Sequence, residues 1–429
     1  MKVKNIKKKT GLFAAILFSA STNVIAQVFG TIELTNPAAL SRPDELISIK
    51  RAVIAKQLNS SPEFVTISYD GKQLPVQYVD ENRDSKWDEV IFLYSFKPNE
   101  KASFKLFPAA RIHRADTGQR AHVRLRKKNR DDTFGPGIIS ETMPLRNPAT
   151  DFSKQALPMY LTEGPAWEND KVAYRLYLDV RNNKDIYGKT TSEMMMDTVG
   201  VNHKVSYHTL ADWGMDVLHV VKSLGAGALA LSVPQKGAED TLIRLGGLNI
   251  TKTVYQQVAD GPLLARFTIT YDWQINYQTV QVKEEINVWG GQYFYESKLT
   301  VAGAPKGSQL VTGIADFYEN TFETINQGNA VIAFSYGKQS ENKDNLGLGV
   351  LVNKQNFAKV DSINRSNTDI NETYIIAQTI SGETPLYYRF YAGWERTDKR
   401  FTTFKGFKDF LREEGIRYSK PINIKWKRI

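Results

Sequence analysis

The chain has 429 residues, 41% of them hydrophobic, and no cysteine. That composition excludes general disorder, disulfide staples, thiolate metal sites and thiol nucleophiles. The net charge of +10 is concentrated: the first 26 residues carry five Lys, residues 111–130 sum to +7, and the rest is −2, which excludes a broad nucleic-acid-binding surface.

Lys2, Lys4, Lys7, Lys8 and Lys9 precede a short apolar run, Leu12 to Phe18, and Val24-Ile25-Ala26 ends in the small-residue cleavage pattern. A secretory signal over 1–26 is expected, with Gln27 as the new N-terminus and a periplasmic or secreted mature protein. No later apolar run is long enough to span a bilayer.

Residues 27–110 read as a small β domain, with strand-like runs at 63–69, 74–79, 89–96 and 102–107 separated by turns such as Asp70-Gly71. Between them, Asp80, Asn82, Asp84 and Asp88 place oxygen ligands at alternate positions, as in a calcium loop. Ser85 stands where such a loop has Gly, and Ile91 where it has its bidentate acid. A structural Ca²⁺ is the one ion this suggests; no cofactor is otherwise required. Residues 111–156 read as a basic joint. Its cations suit an anionic polymer, or else a solvated edge or linker.

From 157 to 429 apolar and polar residues alternate. Strands are expected at 172–180, 267–275, 280–289, 293–301, 330–336, 348–353, 374–380 and 386–392, and a helix only at 401–418. The fold class is therefore all-β and mainly antiparallel, a large sandwich of stacked sheets with few helices.

Four groups of residues carry the chemistry. Strand 172–180 puts Arg175, Tyr177 and Asp179 on one face, and strand 386–392 puts Tyr387, Arg389 and Tyr391 on one face. Arg175 and Arg389 suit a sugar carboxylate, because the guanidinium fork donates two parallel hydrogen bonds. The segment 203–227 holds His203, His208 and His219 among Tyr207, Asp212, Trp213 and Asp216. These are proton-transfer groups, or metal ligands were the segment helical. Glu284, on an apolar strand face, and Glu296 are the candidate carboxylate pair of a glycosidase. Trp213, Trp289 and Trp394 are candidate stacking platforms for a non-catalytic glycan-binding protein.

The strings TEGPAWENDKVAYRLYLDVRNNKDIYGK (162–189), SYHTLADWGMDVLHVVKSLGAGALAL (206–231), YFYESKL (293–299) and VDENRDSKWDEVIF (79–92) resemble the domain of unknown function 4861 family of secreted bacterial proteins. The resemblance implies a galactose-mutarotase-like β-supersandwich and a role in the use of uronate-containing polysaccharides. Tyr207, His208, Asp212, Trp213, Gly214 and Asp216 match its strongest motif, and Arg175, Tyr177, Tyr187 and Lys189 the preceding block.

The expected function is an exported carbohydrate-active protein, leaning towards an enzyme, for acidic oligo- or polysaccharides. As a uronate lyase it uses Arg175 or Arg389 on the carboxylate, His208 as base, Tyr207 or Tyr177 as acid, and Asp212 to orient His208. Lys189 and Trp213 add substrate contacts. As a hydrolase it uses Glu284 and Glu296; as a mutarotase-like epimerase, His208 and Glu296. Neither nucleic acid nor a membrane span is expected, and the oligomeric state is unknown.

Overall fold

The computed structural model describes residues 30–111, 117–318, 320–364 and 370–427. The expected signal segment and part of the basic stretch lie outside these residues.

The strands pair antiparallel into sheets of unequal size. The longest has nine strands, in the order 140–142, 250–260, 264–275, 278–289, 294–302, 386–394, 346–353, 330–337 and 321–327. Two five-stranded sheets, both part of the same core, pack against one of its faces. One comprises 214–216, 184–189, 172–176, 166–169 and 121–124 and carries the candidate site; the other comprises 238–244, 226–235, 309–315, 373–379 and 357–363. The alternation along the strands dictates the layering: Phe267, Tyr295 and Phe390 of the long sheet meet Trp167 and Tyr174 of the site sheet. Leu231, Leu310 and Ile376 enter the same core from the other sheet. The architecture is all-β, as expected, in a layered supersandwich.

The opposite face of the long sheet buries Phe294, Phe334 and Tyr391 under the helix Phe404–Ser419. That helix starts where Thr403 Oγ1 accepts a hydrogen bond from Gly406 N, an N-cap, and presents Phe407, Phe410 and Leu411 on one stripe. Its observed start is a few residues later than the apolar spacing predicts, because 399–402 forms a 3₁₀ turn. A further helix, Arg51–Leu58, was not expected.

The N-terminal strands form a five-stranded and a three-stranded sheet around a core of their own, including Ile32, Phe92 and Phe104. The strand 423–427 pairs with 30–35, so a strand distant in sequence completes this first sheet.

The basic joint is more structured than a connector. Residues 121–124 are an edge strand of the site sheet, and 140–142 an edge strand of the long sheet. Several of its described cations are also engaged within the protein, while Arg111 and Arg130 are exposed. Arg120 pairs with Asp44 and Asp170, Lys127 with Glu141 and Lys128 with Asp132. Arg124, fully buried, donates to the carbonyls of Leu161, Gly164 and Met196 and to Thr162 Oγ1.

Candidate active site

The site is built where a long turn-rich segment, 190–213, crosses the outer face of the site sheet. Tyr187, Ala173 and Ala166 on that face bury against Met196 and Val199, with Tyr207 and Trp213 packed at the margin. Two buried charges anchor the crossing. Lys189 Nζ lies 2.6 Å from Glu168 Oε2 and donates to the carbonyls of Asn169 and Glu193, while Glu168 Oε1 accepts from Met196 N. Lys189 is therefore a buried clamp, not the substrate contact expected of it.

The chain then returns through a short strand, 214–216. Gly214 has φ +129°, and a Cβ there would lie 1.8 Å from the Gly188 carbonyl oxygen, so only glycine lets the two strands approach this closely. Asp216 N donates to Tyr207 O, which brings Asp216 beside His208.

Arg175 sits at the centre. Its guanidinium reaches Asp185 Oδ2 at 2.6 Å, Asp216 Oδ2 at 2.8 Å, Tyr177 OH at 2.6 Å and Tyr207 OH at 3.2 Å. Asp185, Asp216 and Arg175 are all almost fully buried. The expectation that Arg175 neutralises a substrate carboxylate is corrected by this geometry, because its donors are already occupied by the protein. Tyr177 donates to Asp185 Oδ2 and belongs to the same buried network. Arg181 adds an outer layer, pairing with Asp179 and Glu163.

Above the network lies the proton-transfer pair. His208 and Tyr207 occupy turns rather than a strand, so adjacent residues can face one another; their ring centroids are 4.5 Å apart. His208 Nδ1 is 3.4 Å from Asp216 Oδ2. Its ring remains 60% exposed, and the body of the protein on its other side, with Arg175 close by, lowers its pKa below 6.5. Burial raises the Tyr207 pKa, so the hydroxyl keeps its proton at neutral pH. Burial and the neighbouring Asp185 push the Asp216 carboxyl up, with Arg175 opposing them. Both rings line a cleft of about 310 Å³ whose other walls include Phe152, Leu157, Thr162, His203 and Val205.

Asp212, expected to orient His208, is exposed, and its carbonyl accepts from Thr190 Oγ1; Asp216 holds the place beside the imidazole. Helical spacing had linked 208 with 212, but the segment is not helical. The Gly214 turn was the available signal. Asp185 and Glu163 were not singled out in sequence, since their partners lie on other strands.

The remaining candidates lie elsewhere. Glu284 is buried in the main core, where Oε1 accepts from Lys184 Nζ at 2.6 Å, Ser297 Oγ at 2.6 Å and Tyr388 OH at 2.9 Å. Glu296 is next to Ser297 and so points to the opposite face of the sheet, where it pairs with Arg389 at 2.9 Å. Two carboxylates on opposite faces cannot flank one glycosidic bond. Arg389 and Glu296 line a separate charged cleft of about 420 Å³, between the N-terminal strands and the long sheet. Arg175 and Arg389 therefore do not share a cleft.

Trp289 and Trp394 are buried, the latter donating to Asp344 Oδ1, and Trp213 packs on Tyr187, so no exposed shelf joins them. In the acidic loop, Asp80, Asn82, Asp84 and Asp88 each accept hydrogen bonds from backbone N–H groups of Arg83 and Ser85, Asp84, Lys86, and Glu81, respectively. They hold turns. Among the described residues, no group of three or more His, Asp or Glu is gathered as a metal ion would need.

The fold and this site define a β-supersandwich protein with a buried Arg–carboxylate network beneath an exposed His–Tyr pair. The chain belongs to the family described as Domain of unknown function (DUF4861), whose model matches residues 34–424. It is 23% identical over 444 residues to "Uncharacterized protein P7" of Formosa agariphila, covering 96% of each chain. Among solved structures, it is similar to a protein in the glycosyl hydrolase family 38 from Enterococcus faecalis, with a TM-score of 0.50 and 10% identity over 93% of this chain and 47% of that one. An alpha-mannosidase from Enterococcus faecalis V583 matches at a TM-score of 0.49 and 10% identity, over 93% and 46%. The chain spans about half the length of these two structures, and the likeness is one of fold.

Proposed function

We propose that this chain is an exported carbohydrate-active enzyme that cleaves uronate-containing saccharides by β-elimination, with His208 as base and Tyr207 as acid. The observation that carries the reading is the His208–Tyr207 ring contact at the cleft, backed by Asp216 behind the imidazole and Arg175 behind the phenol. An imidazole with a lowered pKa is neutral at pH 7 and accepts a proton; a hydroxyl with a raised pKa still has one to give. Asp216 lies beside Nδ1, and a neutral imidazole has one ring nitrogen with a lone pair to take the proton. Export is inferred from the basic head and short apolar run of the first 26 residues.

The test is turnover of uronate oligosaccharides, followed through new reducing ends and the ultraviolet absorbance of the unsaturated product. His208→Ala should lose roughly 10²- to 10⁴-fold in rate with the fold retained. In the wild type, the acidic limb of kcat/KM should fall at a pH below 6.5, following the lowered His208 pKa. New ends without the absorbance, or full activity in His208→Ala, would overturn the assignment.

A further inference from the structure

Building on that reading, we infer that the sugar unit held against His208 and Tyr207 is a uronate ester, neutral and carrying an alkyl group, rather than a free uronate. Three observations point there. Part of the cleft wall is apolar: Phe152 is 54% exposed and Val205 61% exposed, with Leu157 and Pro158 also lining it. Among the described residues that line the cleft there is neither Lys nor Arg. Cations behind and beside the cleft already hold carboxylates: Arg175 holds Asp185 and Asp216, Arg181 holds Asp179 and Glu163, and Lys154 holds Asp151; Lys204, between His203 and Val205 in sequence, is exposed and is not among the lining residues.

A free carboxylate entering this cleft would lose water and meet no cation, which is costly. Esterification removes the charge and offers an alkyl group to Phe152 and Val205. It also makes the neighbouring ring C–H more acidic, because the carbonyl that must accept electron density no longer carries a negative charge. The chemistry then needs no neutralising arginine. His208 takes the ring proton next to the ester carbonyl, the C–H pair becomes the C=C bond, and the adjacent C–O glycosidic bond breaks. The Tyr207 proton goes to the departing oxygen, the proton on His208 returns to Tyr207, and the ester bond stays intact.

The experiment compares methyl-esterified and saponified oligogalacturonides and oligoglucuronans as probes, using the full mature chain. The expected result is elimination with kcat/KM at least roughly tenfold higher on the esterified probe. Val205→Lys, an exposed substitution that puts a cation at the cleft, should cut that preference by about tenfold. Equal or faster elimination of the saponified probe would overturn this inference and leave β-elimination standing. If neither probe is cleaved, the elimination reading falls and calorimetric binding decides the ester preference alone. Tighter binding of the ester, reduced in Val205→Lys, supports it; equal binding or none overturns it.

Discussion

Replacing Arg175 by Met keeps the length and apolar body of the side chain but removes the cation that holds Asp185 and Asp216. Both carboxylates are almost fully buried, and both contact that one guanidinium at under 3 Å. Breaking a buried pair by removing one partner costs about 3–5 kcal/mol, and here two buried carboxyls lose the same partner. Burial and Asp185 already hold the Asp216 carboxyl above its ordinary value with Arg175 opposing them, so losing the guanidinium pushes it further up in the folded state. The sign of the pH dependence follows. Between the wild-type and the variant folded pKa of Asp216, the folded variant binds more protons than the folded wild type, so its deficit grows as pH rises, by up to about 1.4 kcal/mol per unit. Urea unfolding followed by the fluorescence of buried Trp167, Trp273 and Trp394 should show a large deficit at pH 7.5 that shrinks at pH 5. Adding Asp185→Asn should recover part of the loss. A deficit under about 1 kcal/mol, or one unchanged between the two pH values, would refute the view that this arginine neutralises the buried carboxylates.

Other perturbations probe the frame around the site. His122 contacts Asp260 at 2.8 Å and Asp197 at 3.3 Å; burial pulls its pKa down, but these carboxylates outweigh it and hold it at about 9. Its contribution, roughly 2–3 kcal/mol, should be fully present below pH 6.5 and lost as pH rises to about 9, a slope that His122→Gln should abolish in unfolding experiments. Gly214→Ala forces a Cβ into the Gly188 carbonyl at a φ that L residues avoid. It should lower stability by about 2 kcal/mol or more and, by displacing Asp216 from His208, reduce turnover; a thermal midpoint equal to wild type would count against the close strand approach.

Strands with one buried and one open face were legible in the sequence. Residues 278–289 and 294–302 alternate as a half-buried strand must, and both appear close to their expected bounds. The strand 226–235 was not foreseen because AGALALSV is buried on both faces and carries no period. Residues 184–189, KDIYGK, read as polar, yet all six are buried. Lys184 meets Glu284, Asp185 meets Arg175 and Lys189 meets Glu168, partners that local sequence does not reveal. The same blindness explains the site. Tyr207, His208, Arg175 and Tyr177 were identifiable as residue types in one region, but which carboxylate serves which cation depends on strand pairing.

The pairing of 423–427 with 30–35 has a kinetic consequence. Thr31 faces Lys427 and Ile32 faces Trp426, contacts between strands far apart in sequence. Closing so large a loop is entropically unfavourable before any contact rewards it, and folds rich in such contacts form slowly. The strand 30–35 is synthesised long before 423–427, and the edge that 423–427 covers stays unpaired until that strand has been made. An unpaired edge is a template for the wrong partner. The N-terminal unit should therefore depend on being kept from other chains until 423–427 has paired with it.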